Sequence, residues 1–85
     1  MKFPIYLKYT NDRNFFIVHS ETEWEEYSIA GRSYFYYKKT AKIFPDRMFV
    51  LDLLENSYRN VERMGEEEFI ETIGLIKRDY KEKRT

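Results

Sequence analysis

An 85-residue chain with 15 basic and 15 acidic residues carries no net charge, which argues against the basic excess of a non-specific DNA-binding protein. It contains no cysteine, so disulfides, thiolate metal sites and cysteine nucleophiles are excluded. Its 42% hydrophobic and 19% aromatic content is enough for one small globular domain over residues 1–85, with no room for a second.

The amino-terminal "MKFPIYLKYTNDRN" has one early lysine and an apolar run broken at Lys8, which does not make a signal peptide. No stretch approaches the length of a membrane span, so a soluble cytoplasmic protein without membrane contact is the expectation. "FPIYLKY" and "FFIVHS", separated by the polar "TNDRN", predict a β-hairpin. Phe3, Ile5, Leu7 and Tyr9 alternate with Pro4, Tyr6 and Lys8, which puts the two sets on opposite faces of the first strand. Pro4 belongs at a strand start or an edge, because it has no N–H to donate. Phe15, Phe16, Ile17 and Val18 form an unbroken apolar run, the mark of a strand that is central or buried on both faces.

"SETEWEEYSIAG" changes the period. Ser20 and Glu23 match a capping box, Trp24 and Tyr27 stand three apart, and Gly31 fits a stop, so a helix of about two turns is predicted. A strand follows, roughly Arg32 to Phe44, rich in β-favouring aromatics. Pro45 and Asp46 read as a helix start, with Phe49, Val50, Leu53 and Leu54 at helical spacing behind them. From Asn56 to Met64 the chain either continues that helix or turns at Asn56–Ser57 into a short strand, "YRNVERM". The poor helix formers Asn56, Ser57 and Asn60 favour the strand. "EEEFIETIGLIKRDYKEKRT" is the clearest helix, with Phe69, Ile73, Ile76 and Tyr80 on one face, acids at its start and bases at its end. Gly74 within it points to close packing against a neighbour. Phe49, Leu53, Phe69 and Ile73 are the expected core.

The predicted order is ββαβαβα: an α+β domain whose mostly antiparallel sheet of three to four strands carries its helices on one face. It differs from the βαββαβ order of the RNA-recognition fold, and "GRSYFYYKK" lacks that fold's Gly-spaced aromatic motif.

Catalytic signals are sparse. His19 is the only histidine, and Glu21 and Glu23 near it read as helix-start residues. Glu66, Glu67 and Glu68 read as a solvated helix start, Asp46 as a cap, and Asp52 as the partner of Arg47 or Lys42. Gly31, Gly65 and Gly74 make no phosphate loop, and no metal-ligand spacing occurs. The expectation is a non-enzymatic binding module without a cofactor.

The stretch "GRSYFYYKKTAK" is the candidate binding element. Strand alternation assigns Phe35, Tyr37, Ala41 and Ile43 to the core and leaves Tyr34, Tyr36, Lys38 and Lys42 on the helix-free face, with Tyr6 and Lys8 from the first strand beside them. Such a stripe can be an ordinary solvated face. As a working surface it favours a protein partner or a homodimer, since tyrosine is enriched at interfaces. The alternative is single-stranded nucleic acid, with bases stacked on the phenols and phosphates held by the lysines.

Overall fold

The alternation of the first apolar segment becomes β1, Ile5–Tyr9, in a computed structural model that describes residues 2–55 and 60–83. Pro4 stands immediately before it. β2, Asn14–Val18, returns antiparallel, with Leu7 opposite Phe16 and Lys8 opposite Phe15. In the turn between them Asn11 Oδ1 accepts from the Arg13 N–H, and Asp12 adopts a left-handed φ of 58°. Short Asx residues tolerate that region better than most side chains.

The segment predicted as a helix is instead a strand, β3, Glu23–Ala30, paired along its length with β2 and with β4, Ser33–Thr40. Ser20 does accept hydrogen bonds from the N–H groups of Thr22 and Glu23, as a capping residue would. Here the same hydroxyl closes the turn between β2 and β3, where the His19 and Ser20 N–H groups both reach the Glu23 carbonyl. Local serine bonding stabilises a turn as readily as a helix start. Trp24 and Tyr27, three residues apart, fall on opposite faces of the strand, and both are buried. Gly31, at φ +63°, is the first central residue of the tight β3–β4 turn, where a side chain would be strained.

α1, Phe44–Leu54, has proline in its first turn, and β5, Val61–Met64, follows as the strand reading expects; the suggested turn at Asn56–Ser57 lies outside the described residues. α2, Glu66–Asp79, has Glu66, Glu67 and Glu68 in its first turn and Lys77 and Arg78 in its last, each charge facing the favourable end of the helix dipole. The helix does not run on through the end of "EEEFIETIGLIKRDYKEKRT" as expected: Tyr80 is extended and a two-residue strand, β6, Lys81–Glu82, follows it. The order is therefore ββββαβαβ, and the six-stranded sheet runs β5-β1-β2-β3-β4-β6. All pairs are antiparallel except β4 with β6, so this α+β sheet is mixed and wider than the predicted three or four strands.

The helices do not share a face. One buried cluster joins Ile5, Leu7, Phe16, Val18 and Trp24 to Val50 and Leu53 of α1. The other joins Phe15, Tyr27, Tyr34 and Met64 to Phe69, Ile73 and Ile76 of α2. Adjacent strand residues such as Phe15 and Phe16 belong to different clusters, so α1 and α2 cover opposite sides of the sheet. Of the expected core, Leu53, Phe69 and Ile73 are buried, and Phe49 packs half-buried on the α1 side.

Gly74 is not in close contact as expected: no atom lies within 4 Å of the position a Cβ would take. With helical backbone and free space, alanine there loses less chain entropy on folding. Gly74→Ala should stabilise the protein by about 0.5–1 kcal/mol, read as a higher urea midpoint at unchanged slope.

Candidate functional site

β4 carries most of the residues singled out in the sequence, and the structure divides them. Tyr34, Tyr36 and Lys38 do share one face with Tyr6 and Lys8, but it is the face under α2 rather than a helix-free one. Tyr34 is only 7% exposed and belongs to the core, because α2 leads into β6, which pairs beside Ser33 and Tyr34 and closes over that end of β4. Tyr6 packs on Phe69 at 5.1 Å between ring centres. Lys8 is engaged by Asp12 at 2.7 Å and Glu62 at 3.9 Å. Lys42 lies past the end of β4 and lines a cavity on the α1 side instead. The six residues thus do not form one surface. Tyr34 and Tyr36 meet in a cavity of about 280 Å³ lined also by Tyr27, Lys77 and Glu82.

The residues assigned to the core from the other phase of β4 are the ones left partly open. Phe35 and Tyr37 are half-buried and stacked on each other, 6.2 Å apart with planes 7° from parallel. The Lys39 ammonium sits 5.1 Å from the centre of the Tyr37 ring, within cation–π range. Ile43, also assigned to the core, is exposed.

Tyr36 belongs to a polar cluster that the sequence did not reveal. Its hydroxyl donates to one oxygen of Glu25, and His19 Nε2 meets the other. The β2–β3 and β3–β4 registers bring these three residues together on the α2 side. Burial pushes the Glu25 carboxyl up, but the bonds from Tyr36 and His19, with the charges of His19 and Lys38, outweigh it and hold it below the usual carboxylate range. Burial, and then the hydrogen bond and charge of Glu25, push the Tyr36 phenol up to about 12. A phenol held protonated so firmly is a hydrogen-bond donor, not a base.

On the α1 side, a cavity of about 510 Å³ is lined by Trp24, Lys39, Thr40, Lys42, Asp46 and Phe49. Trp24 is 4% exposed, and its indole N–H is buried with no acceptor among the described residues. Leaving such a donor unmatched costs about 1–3 kcal/mol. Asp46 is not the helix cap; that position is Ile43, and an Asp46 oxygen instead accepts from the Lys42 backbone N–H at 3.4 Å.

The outer edge of β4 is the other exposed feature. β6 pairs only with Ser33 and Tyr34, with the Lys83 N–H reaching the Tyr34 carbonyl. Odd-numbered residues of β4 turn their backbone groups toward β3, continuing the pattern of the Ala41 N–H to the Thr22 carbonyl. The N–H and C=O groups of Tyr36, Lys38 and Thr40 therefore point outward, with no strand beside them among the described residues. None of the ion pairs among the described residues involves Lys38, Lys39 or Lys42.

No helix among the described residues is long and apolar enough to cross a membrane, and no group of three or more potential metal ligands gathers among them. No family model, no curated protein and no solved structure matches this chain.

The Tyr36 phenol is held above its ordinary value of 10.0, so the stability it contributes is complete below about pH 10 and lost as pH rises through about 12. Tyr36→Phe should remove one late-ionising phenol from the ultraviolet titration. The variant should also lose less stability than wild type across that window, as followed by thermal melting.

Proposed function

We propose that this protein is a small non-enzymatic binding module that takes an extended, acidic segment of a partner protein onto the outer edge of β4. The open edge from Tyr36 to Thr40 carries the reading: a row of outward N–H and C=O groups is a template for an added strand. Around it, Lys38 and Lys39 project to opposite faces and Lys42 follows, none of them engaged in an ion pair among the described residues. Adjacent carboxylates of an incoming strand, leaving on opposite faces, would meet these ammonium groups on both sides.

Self-pairing through the same edge is the weaker arrangement. A two-fold centred on Lys38 or Lys39 sets like charges directly opposite each other, which is destabilising. One centred on Tyr37 would run the second copy into the end of β6. Single-stranded nucleic acid fits less well than an acidic peptide, since Tyr34 is buried, Tyr36 is bonded to Glu25 and one face of Tyr37 is taken by Lys39.

A labelled peptide repeating Glu-Glu-Val-Val, its Lys-Lys-Val-Val counterpart and a single-stranded oligonucleotide would be titrated against the protein by fluorescence anisotropy. Only the acidic peptide is expected to bind, more weakly as salt is added. Lys38→Pro removes one outward N–H without touching the bonds to β3, so it should abolish binding while the fold persists. Equal binding of both peptides, or binding unaffected by Lys38→Pro, would contradict strand addition. A dimer in sedimentation that Lys38→Pro disperses would replace the partner by a second copy.

A further inference from the structure

We infer that α2 pairs antiparallel with the α2 of a second copy of this chain, Ile70 of each packing into the space over Gly74 of the other. This contact lies on the outer flank of α2 and needs nothing from the β4 edge, so it stands apart from strand addition.

α2 buries Phe69, Ile73 and Ile76 against the sheet. Ile70, Gly74 and Lys77 recur at the neighbouring helical spacing and so share a second face. Together they wall a cavity of about 320 Å³ whose floor is Tyr6, Ile17 and Tyr27 of the sheet. Ile70 is 60% exposed. Glycine weakens a helix relative to alanine, yet nothing in the chain comes within 4 Å of the position a Cβ of Gly74 would take. Folding therefore explains neither the exposed isoleucine nor the open space beside it. A close contact between two helices explains both, since the side chain of one fills the gap over the other.

The spacing is self-complementary. Ile70 and Gly74 stand two residues either side of Thr72, and Glu67 and Lys77 stand five either side. A two-fold axis level with Thr72 sets Ile70 against Gly74 and Glu67 against Lys77, each pair occurring twice. Neither Glu67 nor Lys77 enters an ion pair among the described residues. The Lys77 ammonium lies 5.7 Å from the centre of the Tyr27 ring instead. Glu66, Glu67 and Glu68 fill the first turn and Lys77 and Arg78 the last, so an antiparallel pair lays each end over the opposite charge. A parallel pair would set like charges together at both ends. The chain's zero net charge leaves no long-range repulsion between copies.

Sedimentation equilibrium of the whole chain should show a reversible dimer with a Kd between about 10 µM and about 1 mM, as suits a small interface. Ile70→Gln changes an exposed side chain for another that helices accept, so it should fold normally while weakening the dimer by about tenfold or more. Glu67→Lys and Lys77→Glu each place like charges opposite one another at two symmetric positions, and each should weaken it by about tenfold. The double variant Glu67→Lys, Lys77→Glu restores opposite charges and should recover wild-type affinity, which a general effect of charge on the helix would not do. The proposal is overturned if the chain stays monomeric throughout that range, if Ile70→Gln leaves the dimer intact, or if the double variant associates no better than the single ones. Dispersal of the dimer by Lys38→Pro, which alters only the β4 edge, would also overturn it.

Discussion

Phe15 and Phe16 are neighbours in β2 and both are buried, and this pair dictates the layering of the molecule. In a strand, consecutive side chains leave on opposite faces, so two adjacent buried rings oblige the sheet to be covered twice. α1 supplies Val50 and Leu53 to one side, and α2 supplies Phe69, Ile73 and Ile76 to the other. The chain changes sides by way of β5, which pairs with the outer edge of β1 through Leu7 opposite Arg63. A single helical layer would leave either Phe15 or Phe16 facing water, at roughly 1.5–3 kcal/mol for a ring of that size.

The two helices bury their side chains against opposite faces of β1, β2 and β3, and of β4 only Tyr34 joins either buried cluster. α2 then returns only far enough for β6 to pair with the first two residues of β4. Tyr34 becomes core, while beyond it the edge is bare and the opposite face shows the Phe35–Tyr37 stack and Lys39. The division of β4 into a structural half and an exposed half thus follows from where the second helix ends. Lysine on an edge strand is also the ordinary guard against indiscriminate strand pairing, which makes the choice of partner a question of charge.

Much of the fold was legible in the sequence because the relevant signals were local. The polar break "TNDRN" between apolar runs marked the first hairpin, Asn60 before Val61 favoured a strand over a longer helix, and the acids of α2 marked its start, while its end at Asp79 and the strand after it were not legible. β3 was misread because its two large residues, Trp24 and Tyr27, are spaced like a helical stripe when they in fact serve different sides of a strand, and because Ser20 and Glu23 serve a turn with the same bonds a cap would use. The unbroken apolar run of β2 marks a strand buried on both faces, but β3, which is covered on both sides by Trp24 and Tyr27, carries no such run. With one face taken as helix-free, strand alternation assigns Phe35 and Tyr37 to the core, whereas it is Tyr34 that α2 covers. The meeting of His19, Glu25 and Tyr36 was not legible at all, since it depends on the registers of three strands, one of them read as a helix. For the α1-side cavity the sequence offered Lys42 alone; Trp24 joins it only through the fold.

The central claim is that β4 is paired on one side only beyond Tyr34 in the free protein. Residue-resolved amide hydrogen exchange tests it without any ligand. The account predicts an alternating pattern, with the N–H groups of Phe35, Tyr37 and Lys39 protected by their bonds to β3 and those of Tyr36, Lys38 and Thr40 exchanging quickly into solvent. Uniform protection from Phe35 to Thr40 would mean that the edge is already covered, and would contradict it.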